Sequence, residues 1–233
     1  MIATVVNVIA IIAGAITGII VRGRFDKRMQ EITSQATGLA VLFVGIAGVL
    51  DKMLFEPYNS VLFAVSLVLG GIAGSVIDIE GKMKKAGDLI ESKLKGSEGS
   101  ISRSFVAASI LYCTGSMAII GSIESGINHN YSILFTKSVL DGVYAVVFAS
   151  TMGIGVVFAA VSVFVYQGLI TLMAGFVEPY MTGDIMREVS IVGGILITGL
   201  GIDMLGIRKI NVANLLPAVL VPVVYYAVIY IIK

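Results

Sequence analysis

The chain has 233 residues, 57% hydrophobic and 13% charged, with a mean hydropathy of +0.99 and a net charge of +1. A soluble domain carries about a quarter of its residues as charges, so the composition predicts a chain embedded in lipid, and the near-neutral balance argues against nucleic acid or an acidic partner as the main ligand. Cys113 is the single cysteine and His129 the single histidine, which excludes an intrachain disulfide and leaves thiolate or histidine metal sites without a ligand set.

A bilayer core about 30 Å thick requires roughly 20 apolar residues per helical crossing. On that ruler the chain predicts eight spans, near 2–22, 36–54, 57–79, 103–123, 132–152, 156–176, 189–207 and 212–232. The expected fold is therefore all-α: a polytopic membrane protein of about eight transmembrane helices, forming one integral domain over 1–233. The first apolar stretch has no basic leader and no small-residue cleavage pattern, and reads as a retained helix.

Between spans one and two lie Arg22, Arg24, Lys27 and Arg28. Between three and four lie Lys82, Lys84, Lys85, Lys93, Lys95 and Arg103, and between seven and eight Arg208 and Lys209. Twelve of the 16 basic residues thus share one side, which the positive-inside rule assigns to the cytoplasm. A multi-pass protein of the plasma membrane is expected, its basic linkers cytoplasmic. In the 80–102 linker, Met83, Leu89, Ile90 and Leu94 allow an amphipathic turn or two on the inner leaflet, beside the simpler reading of a solvated connector.

Span four is rich in small residues, including Ala107, Ala108, Cys113, Thr114, Gly115, Ser116, Gly121 and Ser122. Close packing of backbones explains most of them, since lipid gives helices no hydrophobic drive to associate. Thr114 and Ser116, beside Gly115, also offer hydroxyls where a helix could unwind around a cation or polar solute. In span five, Lys137 and Asp141 are four apart and share a face on which they can pair. A charge inside the membrane costs about 2.5–3.5 kcal/mol on insertion scales and is functional by default. Asp141 is the acid singled out for an ion- or proton-binding role, with a structural pair to Lys137 as the alternative.

The stretch Ser132 to Phe176 would make a single helix of about 67 Å at 1.5 Å per residue, too long for one crossing. Its only turn chemistry is Thr151 to Gly155, where Gly153 and Gly155 sit one residue apart. A break is expected there, giving either two full spans or a re-entrant hairpin around Ser150 and Thr151. Further polar positions inside spans are Asn7, Gln167 and Asn214, and Pro217 in span eight frees the carbonyl of Ala213 as a kink or a ligand.

A shift of 156 places spans one to three on six to eight and superposes Gly38 on Gly194 and Gly45 on Gly201. The paired spans would cross in opposite senses, as in the inverted repeats of many transporters. An inverted repeat around a central pair is thus an expectation.

The ordered motifs N-V-I-A-I-I-A-G, C-T-G-S-M-A-I-I-G-S-I-E-S-G, K-S-V-L-D-G, F-A-S-T-M-G-I-G-V, Y-Q-G-L-I-T-L and V-A-N-L-L-P-A run through the whole chain. Together they resemble the YqgA/YdfK-like family of prokaryotic membrane proteins, a domain of unknown function. The resemblance implies a polytopic plasma-membrane protein and supplies neither activity nor functional residues.

No phosphate-binding loop, two-histidine zinc motif or nucleophile with a base is visible, so neither an enzyme nor a cofactor is expected. The leading expectation is a secondary transporter or channel for a small solute or cation. Its site near the membrane midplane would use Asp141, Thr114, Ser116, Ser150, Thr151, Gln167, Asn7 and Asn214. A non-transporting scaffold or regulatory subunit of a larger complex is the alternative. The expected partners are the lipid bilayer and a small solute or cation, with no nucleic acid, and a homo-oligomer is compatible with the composition.

Overall fold

Apolar runs of this length become helices because hydrocarbon offers no partner to a free backbone N–H or C=O, so each segment must bond internally. The computed structural model describes residues 1–24, 26–55, 58–93, 101–113, 116–177 and 182–232, and among them every regular element is helical. In chain order these are α1 (Ile2–Arg22), α2 (Lys27–Phe55), α3 (Ser60–Ile77), α4 (Ile79–Lys93), α5 (Ile101–Cys113) and α6 (Ser116–Ile127). There follow α7 (Ser132–Met152), α8 (Gly155–Leu172), α9 (Ala174–Val177), α10 (Gly183–Met204) and α11 (Val212–Leu215). A 3-10 turn, Leu216–Leu220, then leads into α12 (Val221–Ile232).

Among the described residues, seven runs are long and apolar enough to cross a membrane: α1, α2, α3, α7, α8, α10 and the stretch from α11 into α12. The pair α5 and α6, inclined at 60°, makes an eighth candidate. Ile9, Ile16 and Ile20 of α1 lie exposed at helical spacing, as do Val61, Val68, Ile72 and Val76 of α3. Val161, Val165, Leu169 and Leu172 form a third such stripe on α8. In water these stripes would be large apolar patches; against acyl chains they are the solvated faces of a membrane protein.

Contacts group the chain into two compact units, the first comprising Met1–Thr37, Gly81–Cys113 and Met117–Gly175, the second built from Gly38–Glu80 and Phe176 onward. In the first unit α1 lies along α7. A Cβ on Gly14 would fall on the Gly142 carbonyl and the Ala145 side chain, and one on Gly18 on Val146 and Ala149. Four residues forward on α1 match four forward on α7, so the two helices are parallel. Along α8 the order reverses: Arg22 reaches the Thr151 carbonyl just ahead of α8, whereas Asn7 meets Gln167 and Met1 lies near Gly168. α8 is therefore antiparallel to α1 and α7. α5 runs parallel to α8, with Gly155 closed against Ile101 and Ser104, and the Ser109 and Ser162 hydroxyls bonded at 2.9 Å.

The break between α7 and α8 falls where the glycines predicted it. Gly153 has φ 90° and ψ −161°, a region open essentially to glycine alone. Because the chain reverses there, 132–176 forms two helices of 21 and 18 residues, α7 and α8, ahead of the short α9.

In the second unit α2 packs antiparallel to α10. Gly45 fits against Thr198 and Gly201 against Leu42, while Gly38 meets Leu205 and Gly194 meets Val49. The glycines that the 156-residue shift superposes thus occupy matching places in one antiparallel interface. Any antiparallel pair has such a local dyad, so this is not yet a repeat of three spans. α3 runs antiparallel to the segment around Pro217, with Gly70 against Ala218 and Gly74 against the Asn214 carbonyl. Pro217 produces a change of helix type: the Ala213 carbonyl accepts the Leu216 N–H and the chain tightens to 3-10.

These directions bear on the crossing number. Since α1 and α7 are parallel, an odd number of crossings separates them. α2 and α3 are two candidates, and α5 with α6 is the candidate for a third, so the described residues hold seven to eight candidate crossings. Predicted spans one, five and eight match their helical runs end for end. α2 starts at Lys27, ahead of the predicted 36, and α10 at Gly183, ahead of 189. The predicted fourth span is divided, with α5 ending at Cys113 and α6 beginning at Ser116. The 80–102 linker holds the 15-residue α4, longer than a turn or two.

Candidate functional site

Three helices of the first unit converge on one polar cluster. α1 contributes Asn7, 0% exposed; α7 contributes Lys137 and Asp141, each 5% exposed; α8 contributes Gln167, 1% exposed. Lys137 and Asp141 lie one turn apart on the same face, and the Lys137 ammonium is in direct contact with Asp141 Oδ2. Asn7 Nδ2 donates to the same oxygen at 2.9 Å and to Gln167 Oε1 at 3.3 Å. From α5, the Tyr112 ring centroid lies 6.0 Å from Lys137 Nζ.

The parallel packing of α1 on α7 sets this geometry. Gly14 and Gly18 bring the two backbones together, so that Asn7 reaches α7 and turns its amide toward Asp141. Two buried charges neutralise each other, and an amide replaces part of the water they have lost.

The cluster is incompletely satisfied. Among the described residues, Asn7 Oδ1, both donors of Gln167 Nε2 and the Tyr112 hydroxyl find no hydrogen-bond partner. The hydroxyls of Thr4, Thr171 and Ser125 are likewise buried and unbonded. An unpaired buried polar group costs about 1–3 kcal/mol, and native interiors leave few of them. Unsatisfied acceptors and donors beside a neutralised ion pair suit a small polar guest carrying both kinds of group. A cation or proton reaching Asp141 would compete with the Lys137 ammonium for the same oxygen.

Of the residues expected at a site, Asp141, Asn7 and Gln167 meet. Ser150 and Thr151 stand nine and ten residues beyond Asp141 on α7, about 14 Å along the helix at 1.5 Å per residue. Their hydroxyls bond carbonyls of their own helix, Ser150 to Val147 at 2.8 Å and Thr151 to Val147 at 3.1 Å and Phe148 at 3.0 Å. Asn214 belongs to the second unit, where its Oδ1 accepts the Glu80 N–H at 2.8 Å at the start of α4. Thr114 lies outside the described residues, and Ser116 is described only as the first residue of α6.

Sequence reasoning passed over Tyr112, Thr4 and Thr171 as site candidates, and in the second unit Glu188. That glutamate is 0% exposed; its Oε1 accepts the Asn59 N–H at 2.8 Å and lies 3.9 Å from Arg187 Nε, while its Oε2 is unbonded. The available signal was Thr182, whose side chain caps α10 at the Ile185 N–H and so moves the helix start upstream of Glu188.

Fold and cluster together define a polytopic α-helical membrane protein. Its chain belongs to the family described as "Protein of unknown function (DUF554)", which matches residues 2–227. It is 36% identical over 202 residues to "Uncharacterized membrane protein YdfK" of Bacillus subtilis (strain 168), covering 87% of this chain and 85% of that protein. It is 28% identical over 202 residues to "Uncharacterized protein YqgA" of Escherichia coli (strain K12), covering 84% of each. No solved structure matches the chain.

Proposed function

We propose that this protein is a secondary transporter or channel for a small polar solute or cation, and that Asp141 with Asn7 and Gln167 forms its binding site. The carrying observation is the buried Lys137–Asp141 pair ringed by polar atoms that the protein does not bond. A purely structural ion pair is best served by partners that leave nothing unsatisfied; this one has Asn7 Oδ1 and Gln167 Nε2 to spare. Binding energy for a guest comes from pairing those groups, and exchange at Asp141 couples the guest to a cation or proton.

The membrane is the cytoplasmic membrane, with the basic linkers and the exposed Lys82, Lys84 and Lys85 of α4 on the cytoplasmic side. With the linker between α1 and α2 cytoplasmic, α1 starts on the outer side. The second reading, a non-transporting scaffold or regulatory subunit, is favoured by one feature: Asp141 Oδ2 is already occupied by both Lys137 and Asn7.

Uptake into proteoliposomes, measured over a panel of monovalent cations and small polar solutes, separates the two. At least one species is expected to enter faster than into protein-free vesicles, with the difference lost in Asp141→Asn. A flux unchanged by Asp141→Asn removes that acid from the site, and no flux of any species favours the scaffold.

A further inference from the structure

Three unbonded hydroxyls of the first unit, those of Thr4, Thr171 and Ser125, lie to one side of the ion pair, and a fourth, that of Tyr112, belongs to the ring beside Lys137. Thr4 is one turn before Asn7 on α1, and Thr171 one turn after Gln167 on the antiparallel α8. Both therefore stand between the cluster and the end of the unit where α1 begins and α8 finishes. Ser125 of α6 joins them, since the neighbouring Gly126 is closed against the Thr171 carbonyl and Ala174. Thr4, Thr171 and Ser125 are 0%, 8% and 2% exposed, and the hydroxyl of each finds no hydrogen-bond partner among the described residues. A mid-helix hydroxyl normally bonds the carbonyl one turn back, as Ser122, Ser138 and Ser66 do at 2.6, 2.6 and 2.7 Å. Thr171 and Ser125 depart from that pattern, and Thr4, in the first turn of α1, is the third buried hydroxyl left unbonded there.

The opposite side has the reverse character. Gly14, Gly18, Gly142, Ala145 and Ala149 close α1 onto α7, and Phe148 there is 0% exposed. At the far end Arg22 Nη1 donates to the Thr151 carbonyl at 2.8 Å, tying α1 to the α7–α8 turn.

We propose that Thr4, Thr171 and Ser125 form a one-sided access path for water and small water-borne guests, leading from the end where α1 begins to the Lys137–Asp141 pair and closed beyond it by the α1–α7 glycine contact. The path is short: Asn7 lies about 8 Å from the start of α1 and about 22 Å from Arg22, at 1.5 Å per residue. Hydroxyls suit it because each donates and accepts, so a guest shedding its hydration water meets a replacement partner at each turn. The proposal rests on the binding site assigned above, but hydration is measurable whether or not anything is transported.

The test uses hydroxyl-radical footprinting of the unmodified protein in nanodiscs, comparing Tyr112 with Phe148, two aromatic side chains that are both 0% exposed. Tyr112 is expected to be oxidised and Phe148 to be spared, because only Tyr112 borders the wet side. In a Cys113→Ser background, Thr4→Cys and Thr171→Cys should react with a membrane-impermeant methanethiosulfonate from the α1-start face, as the exposed Ser132→Cys control does. Ala149→Cys should remain unlabelled from either face. Equal protection of Tyr112 and Phe148, or inert Thr4→Cys and Thr171→Cys beside a reactive control, overturns the path. Labelling without any flux keeps the path and removes the transporter reading; flux with a dry Tyr112 does the opposite.

Discussion

At the scale of single residues the ion pair decides most. Removing one partner of a buried pair strands the other charge at about 3–5 kcal/mol, whereas replacing both with apolar groups of similar size is often near neutral. Lys137→Met and Asp141→Leu are therefore each expected to lower the unfolding midpoint in detergent more than the double variant does. A double variant as unstable as the sum of the singles would show that the two do not act as a pair. Asn7→Ala loses the bonds to Asp141 and Gln167 and is expected to cost about 1–3 kcal/mol in the same assay, because Gln167 is then left with no interhelical partner. Asp141, Asn7 and Gln167 were legible as candidates because a charge or amide within an apolar run is costly wherever it points. Their meeting was not legible, since it depends on Gly14 and Gly18 setting α1 parallel to α7, and nothing in span one names its partner. Glu188 was missed because Asp184, Arg187 and Glu188 read as a hydrophilic linker. In the folded chain they are the first turns of a capped helix.

At the scale of elements, glycine placement rather than apolar content selects helix partners. Gly45 and Gly48 lie on the same helix, yet a Cβ at Gly45 meets Thr198 while one at Gly48 meets nothing within 4 Å. Gly48→Ala is expected to stabilise by roughly 0.5–1 kcal/mol through helix propensity alone, and Gly45→Ala to destabilise by about 1–3 kcal/mol through overpacking. Thermal unfolding of the two variants side by side checks this; the same sign for both would mean that the interface is loose enough to absorb a methyl group. At the α7–α8 turn, Gly153→Ala should cost about 1–3 kcal/mol, because its φ of 90° is strained for any side chain. The turn was readable from Gly153 and Gly155. The start of α2 was not, because Lys27, Arg28, Gln30 and Glu31 lie below the hydropathy of a span while still forming its first turns.

For the whole molecule, the proposed eight crossings rest on helix direction, and the proposed sidedness rests on charge. Alkaline phosphatase fused after residue 129, in the turn between α6 and α7, is expected to be active, and a fusion after residue 84, in α4, inactive. The reverse pattern would invert the orientation. If the 60° pair α5 and α6 did not cross, both fusions would report the same side. Binding at the Asp141 cluster remains the central claim, and melting of the purified protein against the panel of cations and solutes tests it most directly. A ligand held only by the folded state at about 100 times its Kd stabilises by about 2.7 kcal/mol. The species that crosses proteoliposomes should raise the melting temperature of the wild-type protein and leave that of Asp141→Asn unmoved. Equal stabilisation of both proteins by that species would place its site elsewhere in the chain.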